Sequence, residues 1–122
     1  MTVKLVEKGS HVQISKNVNL DEFECQCTFK ACVAVIINSE LFDKFEILRE
    51  RCGNQPLRIT SGYRCPSHNN SVPKSAKLSR HMAGTALDIA YPFHVSNEEF
   101  EKHCKDLFEF NKIYMSWIHV NI

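Results

Sequence analysis

The sequence predicts an α+β fold in one small domain spanning residues 1–122, on three observations. Two segments carry apolar side chains at helical spacing between residues suited to start and stop a helix. Four short segments alternate apolar and polar residues, or run apolar, in the manner of strands. The elements succeed one another without the strand–helix–strand regularity of a parallel sheet. A chain of 122 residues, 43% of them hydrophobic, can bury roughly two-thirds of its unfolded surface around one core, with no room for a second module.

Asn19-Leu20-Asp21-Glu22 offers a side-chain acceptor and, three residues on, a carboxylate, which together satisfy free amides at a helix start. A short helical turn is expected there, and the cysteine-rich stretch 25–32 follows as a loop. From Ser39, read as the cap, Leu41, Phe45, Leu48 and Cys52 recur at helical spacing, and Gly53 supplies a left-handed stop. After Pro56, Leu57-Arg58-Ile59-Thr60 alternates as a half-buried strand. Residues 66–80, polar and holding Pro66 and Pro73, read as a loop with at most one helical turn. Thr85 to Tyr91 reads as a strand closed by Pro92. Ser96-Asn97-Glu98-Glu99 reads as a capping box for a helix with Phe100, Cys104, Leu107 and Phe108 as its apolar stripe. Ile113-Tyr114-Met115 and Trp117 to Ile122 return to strand.

With 15 basic and 14 acidic side chains the formal net charge is +1, too small to gather phosphate backbones or anionic lipid. Neither nucleic acid nor a membrane surface is an expected partner. The longest apolar run, Ala31 to Ile37, is far short of the ~18 residues that span a bilayer. Residues 1–8 lack the apolar stretch of a signal peptide, so synthesis in a cytoplasm is expected.

The six cysteines are then expected to be reduced and mostly buried, with a disulfide or a second metal as alternatives. Cys25, Cys27 and Cys32 would need a fourth ligand from His11, Cys52 or elsewhere to hold a structural ion. His11, His68, His94 and His103 have polar contexts and are expected to do no chemistry.

The chemical anomaly lies in two apolar strands. Asp88 stands between Leu87 and Ile89, and His119 between Ile118 and Val120. Each such group costs free energy unless a partner compensates it. His81, just upstream, precedes Gly84, which permits a tight turn toward Asp88. A zinc ion accounts for all three residues, because two imidazoles and one carboxylate leave the fourth tetrahedral position open, as in catalytic sites. Zinc there would activate a water and polarise a carbonyl.

Three blocks carry a resemblance. Ile59-Thr60-Ser61-Gly62-Tyr63-Arg64-Cys65-Pro66-Ser67-His68-Asn69, then Ser79-Arg80-His81-Met82-Ala83-Gly84-Thr85-Ala86-Leu87-Asp88-Ile89, then Trp117-Ile118-His119-Val120 resemble the motifs of the zinc D-alanyl-D-alanine carboxypeptidase and L-alanyl-D-glutamate endopeptidase family. Ile14-Ser15-Lys16-Asn17 to Phe23-Glu24-Cys25 is similar to the N-terminal segment of small phage-encoded members. The hedgehog signalling domain is similar to this family in fold and zinc site.

The resemblance implies an antiparallel sheet with helices packed on one face and a zinc site on the sheet. It implies that His81, Asp88 and His119 hold one catalytic Zn2+. By the same resemblance Arg64 binds a substrate carboxylate or carbonyl oxygen, a role that suits a planar, permanently charged fork. Ser79 would help position substrate or ligands. The implied partner is the peptidoglycan stem peptide of the bacterial cell wall, cut by a hydrolase acting as a monomer. A phage endolysin of this kind would act at the wall once released by the phage lysis machinery.

One departure touches catalysis. Family members commonly carry Asp or Glu three residues before the last zinc histidine, as the group that moves the proton. Here that catalytic position is Ser116, a poor base, with Glu109 or Asp106 as possible substitutes. Asn121 stands where an aspartate often follows. A zinc-loaded module that binds wall peptide, or a protein partner, without cleaving it is therefore the alternative to the peptidase.

Overall fold

Three antiparallel sheets and four α-helices make up the described part of the chain, residues 2–73, 75 and 79–122 of a computed structural model. The order is β1 (Val3–Glu7), β2 (Gln13–Ser15), β3 (Val18–Asn19), α1 (Leu20–Phe23), β4 (Ala34–Asn38), α2 (Ser39–Arg51) and β5 (Ile59–Ser61), then α3 (Pro66–Ser71), a 3-10 turn (Arg80–Ala83), β6 (Ala86–Ala90), α4 (Asn97–Leu107), β7 (Phe110–Ile113) and β8 (Trp117–Asn121). This is the predicted α+β class. No helix among the described residues is long and apolar enough to cross a membrane.

The helices form where periodicity and caps coincide. In α1, Asn19 and Glu22 make the expected reciprocal capping box, and Leu20 and Phe23 are buried. In α2 the cap is Asn38 rather than Ser39, because Asn38 ends β4 in an extended conformation with its side chain accepting from the Glu40 amide. Ser39 is instead the first helical residue, and its hydroxyl accepts from the Thr2 amide. Gly53 takes the left-handed conformation, φ +85°. In α4, Ser96 accepts from the Glu99 amide, while the Glu99 carboxylate lies 3.7 Å from the His103 ring.

The principal sheet has the order β5-β6-β8-β7. Leu87 pairs with Val120 and Ile89 with Ile118, and all four are buried. With Phe23, Phe42, Phe45, Leu48 and Phe100 they belong to one apolar cluster, each side chain stabilising the fold by roughly 1.5–3 kcal/mol through burial. Phe23 and Phe42 meet edge to face at 4.8 Å. Strand alternation sends Asp88 and His119 to the opposite face.

Several elements differ from expectation. β1 and β4 pair over five residues each, and the β2–β3 hairpin precedes α1; none of these strands was predicted. β1 is exposed along most of its length, so it lacks the alternation that marks a strand facing a core. Glu46 of α2 accepts from the Asn17 amide at 2.8 Å and its side chain at 2.7 Å, which docks the hairpin on the helix. Burial pushes the Glu46 carboxyl up, but the bonds from Ser15 and Asn17 outweigh it and hold it below the usual range. The predicted loop 66–80 contains α3 and leads into the 3-10 turn; its residues 74 and 76–78 lie outside the described residues. The strand expected at 113–115 runs instead over Phe110–Ile113, since 114–116 turn back into β8.

Candidate metal centre

Asp88 and His119 are direct cross-strand partners in β6 and β8, so the sheet itself sets their separation. The Asp88 Oδ1 atom lies 3.0 Å from His119 Nδ1 and 3.2 Å from His81 Nε2. The two imidazole rings meet edge to face at 5.0 Å. Donor atoms of His81, Asp88 and His119 all lie within 4.8 Å of one another.

His81 arrives on the 3-10 turn. Ser79 caps that turn, accepting from the His81 amide at 3.2 Å, and Gly84 ends it with φ +71°. The Gly84 α-carbon packs on the Ile36 carbonyl so closely that a β-carbon would collide with it. The His81 Nδ1–H donates to the Gly62 carbonyl at 2.7 Å, which turns Nε2 toward Asp88.

The donor set fits a cation on electronic grounds. With Nδ1 engaged as a donor, Nε2 of His81 faces an Asp88 carboxylate oxygen at 3.2 Å. His119 lies between two acceptors, Asp88 Oδ1 and Asn121 Oδ1, both at 3.0 Å. Ring nitrogens set against oxygen acceptors call for a positive charge between them, either protons or a metal ion. Two nitrogens and one oxygen suit zinc. Burial pushes the Asp88 carboxyl up, but hydrogen bonds with His119 and His81 more than offset this and bring it down to about 2. Asp88 is therefore ionised at neutral pH and ready to ligate.

Arg64 completes the floor. Its Nη2 lies 3.6 Å from Asp88 Oδ2, its Nε donates to Ser61 Oγ and its Nη1 to Asn69 Oδ1, both at 3.3 Å. Asn69 is fully buried in α3 and orients this fork. No function was predicted for it, although its place at the end of the first motif block was the available signal.

These groups open on a cavity of about 660 Å³ lined also by Ser79, Lys112, Tyr114 and Trp117, within the range of ligand sites. Tyr114 and Trp117 stack at 4.6 Å, and Lys112 Nζ lies 5.4 Å from the Tyr114 ring. A shallower hollow of about 550 Å³ beside α4 is lined by charged residues such as Glu98, Glu101 and Lys105, and the three-residue donor set is not in it.

Five of the six predicted site residues thus come together: Arg64, Ser79, His81, Asp88 and His119. Ser116 does not join them. It is exposed in the turn between β7 and β8, where its carbonyl accepts from the Tyr91 amide, and an odd offset from His119 along an alternating strand does not return to the same face. Glu109 is exposed and Asp106 pairs with Arg51 at 3.7 Å, and neither lines the cavity.

No curated protein and no solved structure matches the sequence. The sequence profile of the family described as Peptidase M15 matches residues 16–121, a span that contains every residue of the donor set. The chain therefore belongs to the peptidase M15 family, zinc-dependent peptidases that act on peptidoglycan peptides.

Proposed function

We propose that this protein is a zinc peptidase that hydrolyses stem peptides of the bacterial cell wall, as a D-Ala-D-Ala carboxypeptidase or an L-Ala-D-Glu endopeptidase. The observation that carries the proposal is the convergence of His81, Asp88 and His119 on the floor of a cavity that also presents Arg64. When bound, zinc supplies a Lewis acid and a water acidified to near neutral pH.

The chain's own residues supply the rest. The Gly62 carbonyl fixes the His81 tautomer, and the sheet register holds Asp88 against His119. Arg64, anchored through three acceptors, is placed to hold a substrate carbonyl or carboxylate. Arg64, Arg80 and Lys112 line the cavity against the single carboxylate of Asp88 among the described lining residues. This excess of positive charge favours an anionic peptide, and stem peptides carry free carboxylates. Tyr114 and Trp117, stacked at 4.6 Å, form an aromatic wall along one side of the cavity.

Digestion of purified stem peptides by the zinc-loaded protein, read by mass, tests the proposal. Loss of terminal D-Ala identifies a carboxypeptidase, and a cut between L-Ala and D-Glu an endopeptidase. Intact peptides after prolonged incubation would refute an enzyme.

One observation favours a second reading. Ser116 replaces the usual carboxylate, and Asp88 alone supplies one among the described lining residues, so proton transfer lacks its customary partner. A zinc-loaded module that binds wall peptide without turning it over would behave this way. Peptide binding by the zinc-loaded parent without cleavage would establish it. Cleavage by the parent excludes it.

A further inference from the structure

We propose that Cys25, Cys27, Cys32 and Cys65 bind a second ion, a structural zinc held by four thiolates. This site is separate from the His81–Asp88–His119 donor set and does not depend on the peptidase reading.

The four sulfur atoms lie within 4.8 Å of one another. Cys27 Sγ and Cys65 Sγ are 3.7 Å apart. Four sulfurs at a Zn–S distance of about 2.3 Å form a tetrahedron with edges of about 3.8 Å, so this pair already has the required spacing. All four cysteines are free thiols. The fourth ligand is neither His11 nor Cys52 but Cys65, from the loop after β5.

The surroundings suit metal-bound thiolates. The Cys65 amide donates to Cys25 Sγ at 3.3 Å and the His68 amide to Cys65 Sγ at 3.4 Å. The Cys27 amide also donates to Cys25, and the Phe29 amide to Cys27. A tetrathiolate zinc centre is dianionic, and a cation stands beside it. Lys8 Nζ is 3.6 Å from Cys27 Sγ and 3.8 Å from Cys32 Sγ, and is fixed by the Cys27 carbonyl at 2.8 Å. Burial does not demand this clustering, since Cys27 and Cys32 are only half-buried. Four sulfur ligands select zinc or iron among common ions. A closed shell without an open position is the arrangement of structural zinc.

Binding replaces four S–H bonds by four S–Zn bonds and releases the protons to solvent, so affinity rises with pH. The mechanical result is a staple. Residues 25–33 contain no helix or strand, and the ion would tie this loop to Cys65. Cys65 caps α3, which carries Asn69, and directly follows Arg64. The second zinc would thereby hold the backbone that follows Arg64 and leads into α3.

Elemental analysis of the full chain, purified under reducing conditions with zinc supplied, should give two zinc ions per chain. His119→Ala should retain the thiolate-bound ion. Cobalt exchanged into either protein should show thiolate-to-cobalt charge-transfer absorption in the near ultraviolet, lost in Cys27→Ser/Cys32→Ser. Native thiol titration should find these four cysteines unreactive until a chelator is added. The unmodified protein provides the cobalt and thiol readouts even if a variant fails to fold. Absence of the charge-transfer band from cobalt-loaded unmodified protein would overturn the proposal. So would iron in place of zinc, or disulfides among these four cysteines in the reduced preparation.

Discussion

Asp88 and His119 face each other across neighbouring strands with Oδ1 and Nδ1 3.0 Å apart, so part of the metal centre is fixed by sheet register. Loss of either imidazole should therefore remove affinity without moving the remaining donors. His119→Ala is expected to weaken zinc binding at this centre by about 100-fold or more, measured by calorimetric titration, with a far-ultraviolet dichroism spectrum like the parent's.

Asp88 also links the centre to acid stability. Its carboxyl is held at about 2 in the metal-free fold, below the ordinary value of about 3.9. A depressed carboxyl stabilises the fold above its unfolded value and loses that contribution as pH falls through the folded value. Metal-free protein should lose on the order of 2 kcal/mol between about pH 4 and pH 2 from this group. Asp88→Asn should flatten that part of the curve in denaturant titrations repeated across the pH range.

Arg64→Lys should leave zinc content unchanged and lower kcat/KM roughly 100-fold. Lysine keeps the charge, but one ammonium cannot reproduce a fork that reaches Ser61, Asn69 and Asp88 from three different nitrogens. Steady-state kinetics on the peptide cut by the parent, beside metal analysis, separate substrate handling from metal loss.

Gly62→Ala should destabilise the protein by about 1–3 kcal/mol. A β-carbon there would collide with the Phe23 carbonyl and ring and lies 2.8 Å from the Phe23 α-carbon. Backbone cannot yield as a flexible side chain can, and Phe23 also accepts the Tyr63 amide at 2.8 Å. Because Gly62 holds His81 through its carbonyl, thermal unfolding should show a larger loss in zinc-loaded than in metal-free protein.

The two long helices were legible because their buried faces repeat at helical spacing, and β6 and β8 because apolar runs enclose one polar residue each. That same polar residue in each strand marked the metal centre together with His81 upstream, and the motif blocks added Arg64 and Ser79. Exposed β1 finds its partner in β4 far along the chain, and nothing local announces such pairing. Helix α3 begins with Pro66 after a cysteine cap, an unusual acceptor that sequence preference does not flag. Cys65 escaped as a companion of Cys25, Cys27 and Cys32 for a related reason: its proximity arises only when the loop after β5 bonds to Phe23 and Cys25 at the end of α1. Ser116 illustrates the reverse, since a position matched by motif spacing came to rest in an exposed turn.

β6 lies inside its sheet, between β5 and β8, whereas the aromatic wall comes from the β7–β8 hairpin, whose tip residue Met115 is 97% exposed. The strands that carry Asp88 and His119 and the exposed hairpin tip thus differ in their tolerance for change. Hairpin tips can be lengthened, recoded or exchanged while the strands beneath keep their registration. A library varied at Tyr114, Met115 and Ser116 should yield folded proteins with altered peptide preference, making this small chain a practical chassis for directed evolution.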